Sequence, residues 1–445
     1  MSPPPAMLRQ SLADGLRGPM APYVYTYPPK RAYSPVDPTR DMAATWSGYD
    51  GPLNVYVHVP YCRMKCGFCN LFTTKLSGSL DPYAAALHRE LSLVAAHLAD
   101  GVQLASVHFG GGTPTLLAPA VIGGLLADLT GRYALRPGAE VAIEGTPRSL
   151  TADTLRGLHD AGITRVSIGI QSFDRHELDA MGRGSQSDPT AVVEAALQQG
   201  FDNVNLDLIY GLPSQSLDVF LANLERAVAL GPPTLTLYPL VLRQRTAFGA
   251  RSRRGDEGFA GSDELFRAYD RALELLAEHG YEQRTLVLYA RPGGGNGFEE
   301  EEFRGVPTLG LGAGARSYGP RVHYTADDYF QPTPPRQLIE AWLQAVEAGR
   351  VPARCAVELA PDDQMRREVI LQLLYTGIAR PSFAQRWGGA LDTLVGAPLE
   401  ALAGEGLLDD DGERVWLNRQ GMKYSSLVAR LFYRDGVERP DSGYR

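Results

Sequence analysis

Leu53-Asn54-Val55-Tyr56-Val57-His58-Val59 runs straight into Pro60-Tyr61-Cys62-Arg63-Met64-Lys65-Cys66-Gly67-Phe68-Cys69. Successive side chains of a strand point to opposite faces. Val55, Val57 and Val59 therefore share one face, and Asn54, Tyr56 and His58 the other. The alternation returns downstream. In 140–144, Val141 and Ile143 oppose Glu140, Ala142 and Glu144; in 165–171, Val166, Ile168 and Ile170 oppose Arg165, Ser167, Gly169 and Gln171. In 203–209, Val204, Leu206 and Leu208 oppose Asn203, Asn205 and Asp207; in 234–240, Leu235 and Leu237 oppose Thr234, Thr236 and Tyr238. With 105–109 this makes six β-like runs, separated by amphipathic helices. One helix opens with Asp81 as N-cap and Pro82 as its first residue, then lines up Tyr83, Leu87, Leu91, Val94 and Leu98. Another runs from Asp188-Pro189 to Gly200. Strands alternating with helices imply parallel pairing and right-handed crossovers; six antiparallel strands would not need connections so long and helical.

A parallel sheet covered on both faces reads as continuous Val, Ile and Leu, and a closed eight-stranded barrel fills its lumen with branched apolar side chains. Here one face is polar. The pattern predicts an α/β fold: an open six-stranded parallel (β/α) partial TIM barrel over 51–285, with a wet lumen that holds polar ligands. Around it, residues 1–50 read as a Pro/Tyr-rich N-terminal arm (Pro22-Tyr23, Tyr25-Thr26-Tyr27-Pro28-Pro29, Tyr33-Ser34-Pro35), extended because proline breaks helices and ladders. Residues 286–355 read as a barrel-closing extension. In it 291–297 is a glycine-rich loop, and 309–315 is a run of small residues that lets backbone approach a ligand. Residues 356–445 read as a small α-rich C-terminal domain with helices at 361–376, near 391–403 and near 419–433, and a hairpin turning at Asp410-Asp411-Gly412. That order is loosely winged-helix, but without a basic stripe it reads as a lid or interaction module.

The chain has 445 residues, 44% apolar and 21% charged, with 43 Lys and Arg against 51 Asp and Glu, a formal charge of −8. This excludes a disordered chain or a coiled coil and speaks against a nucleic-acid-coating protein. No run approaches the roughly 18 apolar residues of a membrane span, and Met1-Ser2-Pro3-Pro4-Pro5 lacks a signal-peptide core. The expected setting is cytoplasmic, with no membrane or nucleic-acid partner. Of four cysteines, Cys62, Cys66 and Cys69 crowd together while Cys355 is distant, which reads as a metal or cluster site in a reducing compartment.

Three thiolates can hold three irons of a 4Fe-4S cluster and leave the fourth open to an external ligand. Structural zinc takes four protein ligands; a three-ligand catalytic zinc and chance clustering are the weaker alternatives. Gly110-Gly111-Gly112-Thr113-Pro114 follows the second run, as a loop that points amides at a ligand or as a tight βα turn. Arg243, Arg245, Arg251, Arg253 and Arg254 form a basic loop, more readily a solvated segment than an anion site. His58, His108 and His323 read as hydrogen-bonding histidines.

Tyr56 through Cys69, with Phe68 before the third thiol, resembles the radical S-adenosylmethionine superfamily. The resemblance implies that the open iron chelates the amino and carboxylate groups of S-adenosylmethionine and that the reduced cluster cleaves it to a 5′-deoxyadenosyl radical. Gly-Gly-Gly-Thr-Pro-Thr, Ser167-Ile168-Gly169-Ile170-Gln171-Ser172-Phe173 and Asp207-Leu208-Ile209-Tyr210-Gly211-Leu212-Pro213 are similar to the oxygen-independent coproporphyrinogen III dehydrogenase-like (HemN-like) subfamily. Several of its members bind two S-adenosylmethionine molecules. By that resemblance Tyr56, Phe68, Gly112 and Glu144 surround the first, closed by Arg316 or Ala315; Gly111, Thr113, Gln171, Arg183, Asp207 and Val241 surround the second. True coproporphyrinogen III dehydrogenases continue the third cysteine as Cys-Gly-Cys, whereas this chain has Cys69-Asn70-Leu71-Phe72. The implied activity is methyl or methylene transfer to an unactivated carbon of a small-molecule substrate. Porphyrinogen decarboxylation is the runner-up and a haem chaperone the third reading. A monomer served by a flavodoxin- or ferredoxin-like one-electron donor is implied.

Overall fold

The computed structural model describes residues 5–20, 23–24, 26–184, 186, 188–255, 258–434 and 437. All six expected strands form: β1 (Pro52–Val59), β2 (Gln103–Gly111), β3 (Ala134–Gly145), β4 (Arg165–Gln171), β5 (Asn203–Tyr210) and β6 (Thr234–Pro239). Each pairs in parallel with the next, and a helix bridges every pair, from Asp81–Ala95 to Leu217–Ala229. The apolar strand face is buried under those helices, as Val55, Val57, Ile143, Ile168, Leu206 and Leu235 show.

The expected count of six falls one short. β7 (Thr308–Leu311) joins the free edge of β1 in parallel, Thr308 opposite Asn54. The 309–315 stretch is thus a strand and its turn, and it approaches protein: a Cβ on Gly312 would stand 2.4 Å from the His58 carbonyl oxygen. Beyond β7 the sheet continues through the antiparallel strands Arg316–Tyr318, Val322–Thr325, Cys355–Glu358 and Ser34–Pro35, with Pro35 tolerated at the outer edge. Beyond β6 come Leu288–Ala290 and Glu282–Gln283. The two ends of the strand order do not pair, so the barrel is open.

The polar strand face differs from the expected single wet surface. Toward the strand N-termini, Asn54, Ser106, Arg165, Asn203, Asn205, Thr234 and Thr236 are all buried. They bond to one another: Ser106 Oγ to Asn54 Oδ1 (2.7 Å), Thr234 Oγ1 to Asn203 Oδ1 (2.9 Å), Thr236 Oγ1 to Asn205 Oδ1 (2.9 Å). The glycine-rich 291–297 segment seals this layer. The Gly295 carbonyl accepts from Asn203 Nδ2 (2.7 Å) and Arg165 Nε (3.2 Å), and its N–H donates to Thr234 Oγ1 (2.9 Å). Glycine is needed there, because a Cβ on Gly294 would stand 2.4 Å from the Pro233 carbonyl oxygen. The helix Gly297–Phe303 follows and packs against β1, β2 and β3.

The arm also departs from its reading. It opens with a helix, Pro5–Leu16, whose Leu8 and Leu12 pack into a second core with Val395, Leu399, Leu402 and Val428. Proline is tolerated in a first helical turn, where no partner for its missing N–H is required. Pro22 and Tyr25 lie outside the described residues. The second core is built by helices Pro361–Leu373 and Leu391–Gly404, the latter kinked at Val395, and by a hairpin of Leu408–Asp410 with Arg414–Leu417. The expected last helix is two, Arg419–Lys423 and Ser425–Leu431. Asp81 lies inside its helix, after N-cap Leu80; Ser79 Oγ accepts the Asp81 N–H (3.0 Å).

Candidate functional site

The C-terminal ends of β1–β6 surround a cavity of about 440 Å³. After β1 the chain folds back as a short loop carrying the three thiols. The loop is pinned by its backbone: Gly112 N–H to the Val59 carbonyl (2.8 Å), Thr113 N–H to Tyr61 (2.9 Å), Thr74 N–H to Pro60 (2.7 Å) and Leu76 N–H to Cys62 (2.9 Å). The triple glycine exists for this approach. A Cβ on Gly112 would stand 2.6 Å from the Tyr61 carbonyl oxygen, and one on Gly111, at φ 109°, would stand 2.6 Å from the His58 ring. Its amides serve the protein: the Gly111 N–H reaches Glu144 Oε2 (3.3 Å). From the other side the Gly67 N–H donates to the Met181 carbonyl, and the Phe248 N–H to the Gly67 carbonyl (both 2.9 Å).

Cys62, Cys66 and Cys69 are free, half-buried thiols on the wall of this cavity. Burial pushes the Cys62 thiol up to about 11, against the Thr113 hydroxyl 3.6 Å from its sulfur; burial raises Cys66 too, against the Arg183 charge. Such thiols keep their protons until a metal displaces them. Among the described residues no group of three or more His, Cys, Asp or Glu side chains is placed to hold a single metal ion. Thiols spread along one wall suit a polynuclear cluster, which takes each thiolate on a different iron. Cys355 is buried in the antiparallel strands, off the cavity.

Tyr56, Phe68, Gly111, Gly112, Thr113, Glu144, Gln171, Arg183, Asp207 and Val241 line the same cavity as the thiols. Arg316 and Ala315 do not; Arg316 stands over the Tyr329 ring instead, 5.8 Å from its centroid. Glu144 Oε1 meets His108 Nε2 at 3.0 Å, and His108 stacks on Tyr56 (centroids 5.7 Å apart). Burial and the nearby Glu144 push Asp207 up to about 6, against Arg165 and hydrogen bonds from Asn205 and Ser167. Arg183 Nη1 donates to the Gly169 carbonyl (2.8 Å). Gln171 takes a left-handed φ of 66° at a bulge in β4, a conformation that costs a non-glycine residue energy and recurs at functional sites. His58 is structural: Nε2 meets the Phe72 carbonyl (3.0 Å), and burial lowers it to about 4.

Of the basic loop, only Arg243 reaches the cavity; Arg251 packs over Phe248 and Phe259. The sequence reading missed Tyr23, Arg148 and Ser149 on the wall. Arg148 and Ser149 follow β3 at the strand end where ligands of parallel sheets bind, and that position was the available signal. Tyr23 reaches in from the arm and lies 6.0 Å from the Tyr238 ring.

Residues 56–227 match the Radical SAM superfamily and residues 359–424 the HemN C-terminal domain. The haem chaperone HemW of Mycobacterium tuberculosis (strain ATCC 25618 / H37Rv) is 31% identical over 387 residues, covering 85% of this chain and 94% of the relative. The chain belongs to the HemN-like group of the radical SAM superfamily. Membership brings a 4Fe-4S cluster and S-adenosylmethionine as cofactors. The oxygen-independent coproporphyrinogen III oxidase of Cereibacter sphaeroides (strain ATCC 17025 / ATH 2.4.3) is 29% identical, covering 88% of each chain. The solved structure of Escherichia coli coproporphyrinogen III oxidase HemN shares the fold at a TM-score of 0.77 and 24% identity, over 92% of this chain and 96% of that one. No helix among the described residues is long and apolar enough to cross a membrane.

Proposed function

We propose that this HemN-like protein is an enzyme that holds two S-adenosylmethionine molecules and transfers a methyl or methylene unit to an unactivated carbon of a small-molecule substrate. One observation carries the choice of reaction. Leu71, 55% exposed on the cavity wall, stands where coproporphyrinogen III dehydrogenases continue Cys-Gly-Cys. When bound, the cluster supplies the electron that cleaves the sulfonium of one S-adenosylmethionine. The protein's task is to hold, orient and exclude water.

In this reading Cys62, Cys66 and Cys69 hold the cluster, and Arg183 offsets part of the thiolate charge. Tyr56, Phe68, Gly112 and Glu144 surround the first cofactor molecule; the Glu144 carboxylate accepts from ribose hydroxyls. Gly111, Thr113, Gln171, Arg183, Asp207 and Val241 surround the second. Arg316 does not line the cavity, and its charge acts on His58 and Glu302 beside it. A flavodoxin- or ferredoxin-like donor brings electrons, and the chain acts in the cytoplasm.

Two readings compete, each favoured by a relative: porphyrinogen decarboxylation by the Cereibacter enzyme, and haem trafficking by the mycobacterial chaperone. Anaerobic reconstitution followed by reductant and S-adenosylmethionine separates them. Deoxyadenosine with S-adenosylhomocysteine is the expected result. Deoxyadenosine alone, with a vinyl product from added coproporphyrinogen, would overturn it in favour of decarboxylation. Haem binding without cofactor turnover would overturn it in favour of the chaperone.

A further inference from the structure

The helix Gly297–Phe303 lies between the barrel strands and the second core, to which it gives Phe303. It packs against β1, β2 and β3 on one side and against helix Pro361–Leu373 on the other. Phe298 meets the rings of His108 (5.0 Å) and Tyr56 (6.0 Å), while Phe303 stacks on Tyr375 (5.8 Å) in the second core. Residues four apart share a helix face, so Glu302 lies one turn beyond Phe298 on the side of His108.

That seam holds a concentration of unmatched polar atoms. His108 uses Nε2 on Glu144, but its Nδ1 is buried with no partner. Glu302 Oε1 is buried and unpartnered, and so are Nε and Nη2 of Arg367, 7% exposed on helix Pro361–Leu373. Arg367 Nη2 stands 4.0 Å from Glu302 Oε1, beyond a direct hydrogen bond. Native proteins fill such gaps with a buried water that has two to four polar partners.

We propose that Glu302 and Arg367 are positioning residues for the cofactor cavity: through a buried water Glu302 fixes the tautomer of His108, and His108 holds Glu144 in the orientation that receives S-adenosylmethionine. This rests on the assignment of Glu144 to the cofactor. A protonated Glu302 donates through the water to Nδ1. The ring hydrogen then sits on Nε2 and donates to the Glu144 carboxylate. An ionised Glu302 draws the ring hydrogen to Nδ1, and a bare Nε2 lone pair faces Glu144 and releases it. Burial pushes Glu302 up to about 7, against the pull of Arg367 and Arg316. The other titratable or charged groups around the helix include Glu299 and Glu300 on the helix itself, Glu140 and Glu144 from β3, Arg165 from β4 and Tyr56 from β1. Arg367 makes the C-terminal unit a part of the site rather than a cover over it.

The test is S-adenosylmethionine affinity, read by calorimetry on the full-length, cluster-reconstituted protein from pH 6 to pH 8. The protonated fraction of a group titrating near 7 falls about tenfold over that range, so wild-type affinity weakens about tenfold. Glu302→Gln keeps an N–H donor at every pH and holds the pH 6 affinity throughout. Arg367→Met removes a charge that holds Glu302 down, so the midpoint moves to higher pH. A Glu302→Gln variant that titrates like wild type, or a wild type whose affinity ignores pH, overturns the inference. Glu144→Gln separates the two levels. It loses affinity at every pH if the cofactor assignment holds; retained affinity sinks that assignment, and the inference with it.

Discussion

The two halves of the barrel lumen are built from the same strands and the same alternating pattern, yet they differ in kind. On β4 and β5 the lower positions Arg165, Asn203 and Asn205 are buried and bonded to their neighbours, and Gly295 seals the first two. The upper positions Gln171 and Asp207, on those two strands, line an open cavity beside three thiols. A polar strand face therefore predicts an open cavity only where its groups keep hydrogen-bonding capacity to spare, as Asp207 does while accepting from Asn205 and Ser167. Where most of them satisfy each other, the same residues make a buried structural layer, since a buried polar group is tolerated once it is hydrogen-bonded. The lower half is built for stability and the upper for chemistry.

Cys66→Ser should produce the largest effect, confined to the upper half. Iron, sulfide and visible absorbance of the anaerobically purified protein fall to background while its circular dichroism stays that of the wild type. Loss of the fold with the cluster would break the contrast. Next comes Asn203→Ala in the lower half. It removes a donor to Gly295 and an acceptor for Thr234 and should cost about 1–3 kcal/mol in urea unfolding. S-adenosylmethionine affinity should stay within about twofold, because only mutations that reach the cavity should move it. A stable Asn203→Ala variant with lost affinity would reverse the assignment of the two halves. Leu71→Ala should be the smallest. Its side chain is largely exposed, so unfolding stability should shift by less than about 0.5 kcal/mol; a larger loss would show that the upper wall carries packing as well.

Much of the architecture was legible because its signals are local. Period-two alternation marked β1 and β3–β6, and Tyr83, Leu87, Leu91 and Val94 marked the first crossover helix. β7 was not legible: Thr308-Leu309-Gly310-Leu311 is four residues long with a glycine inside, and only its pairing with β1 makes it a strand. The Pro5–Leu16 helix was hidden for a related reason. Its stability comes from Leu8 and Leu12 docking on helices nearly 400 residues away in the chain. At the site, the thiol loop and the glycines were readable from spacing. Arg316 was carried over by resemblance and does not line the cavity; it stands over the Tyr329 ring. Tyr23 reaches the cavity only because the arm folds back over β6.

The sequence by itself determined the parallel sheet, the helix-covered face and the three-thiol loop at a strand end, because side-chain alternation and ligand spacing are properties of neighbouring residues. Tertiary structure alone decided which polar residues became floor and which became site. That outcome depends on whether a distant glycine loop arrives to satisfy them, and no local pattern records the arrival.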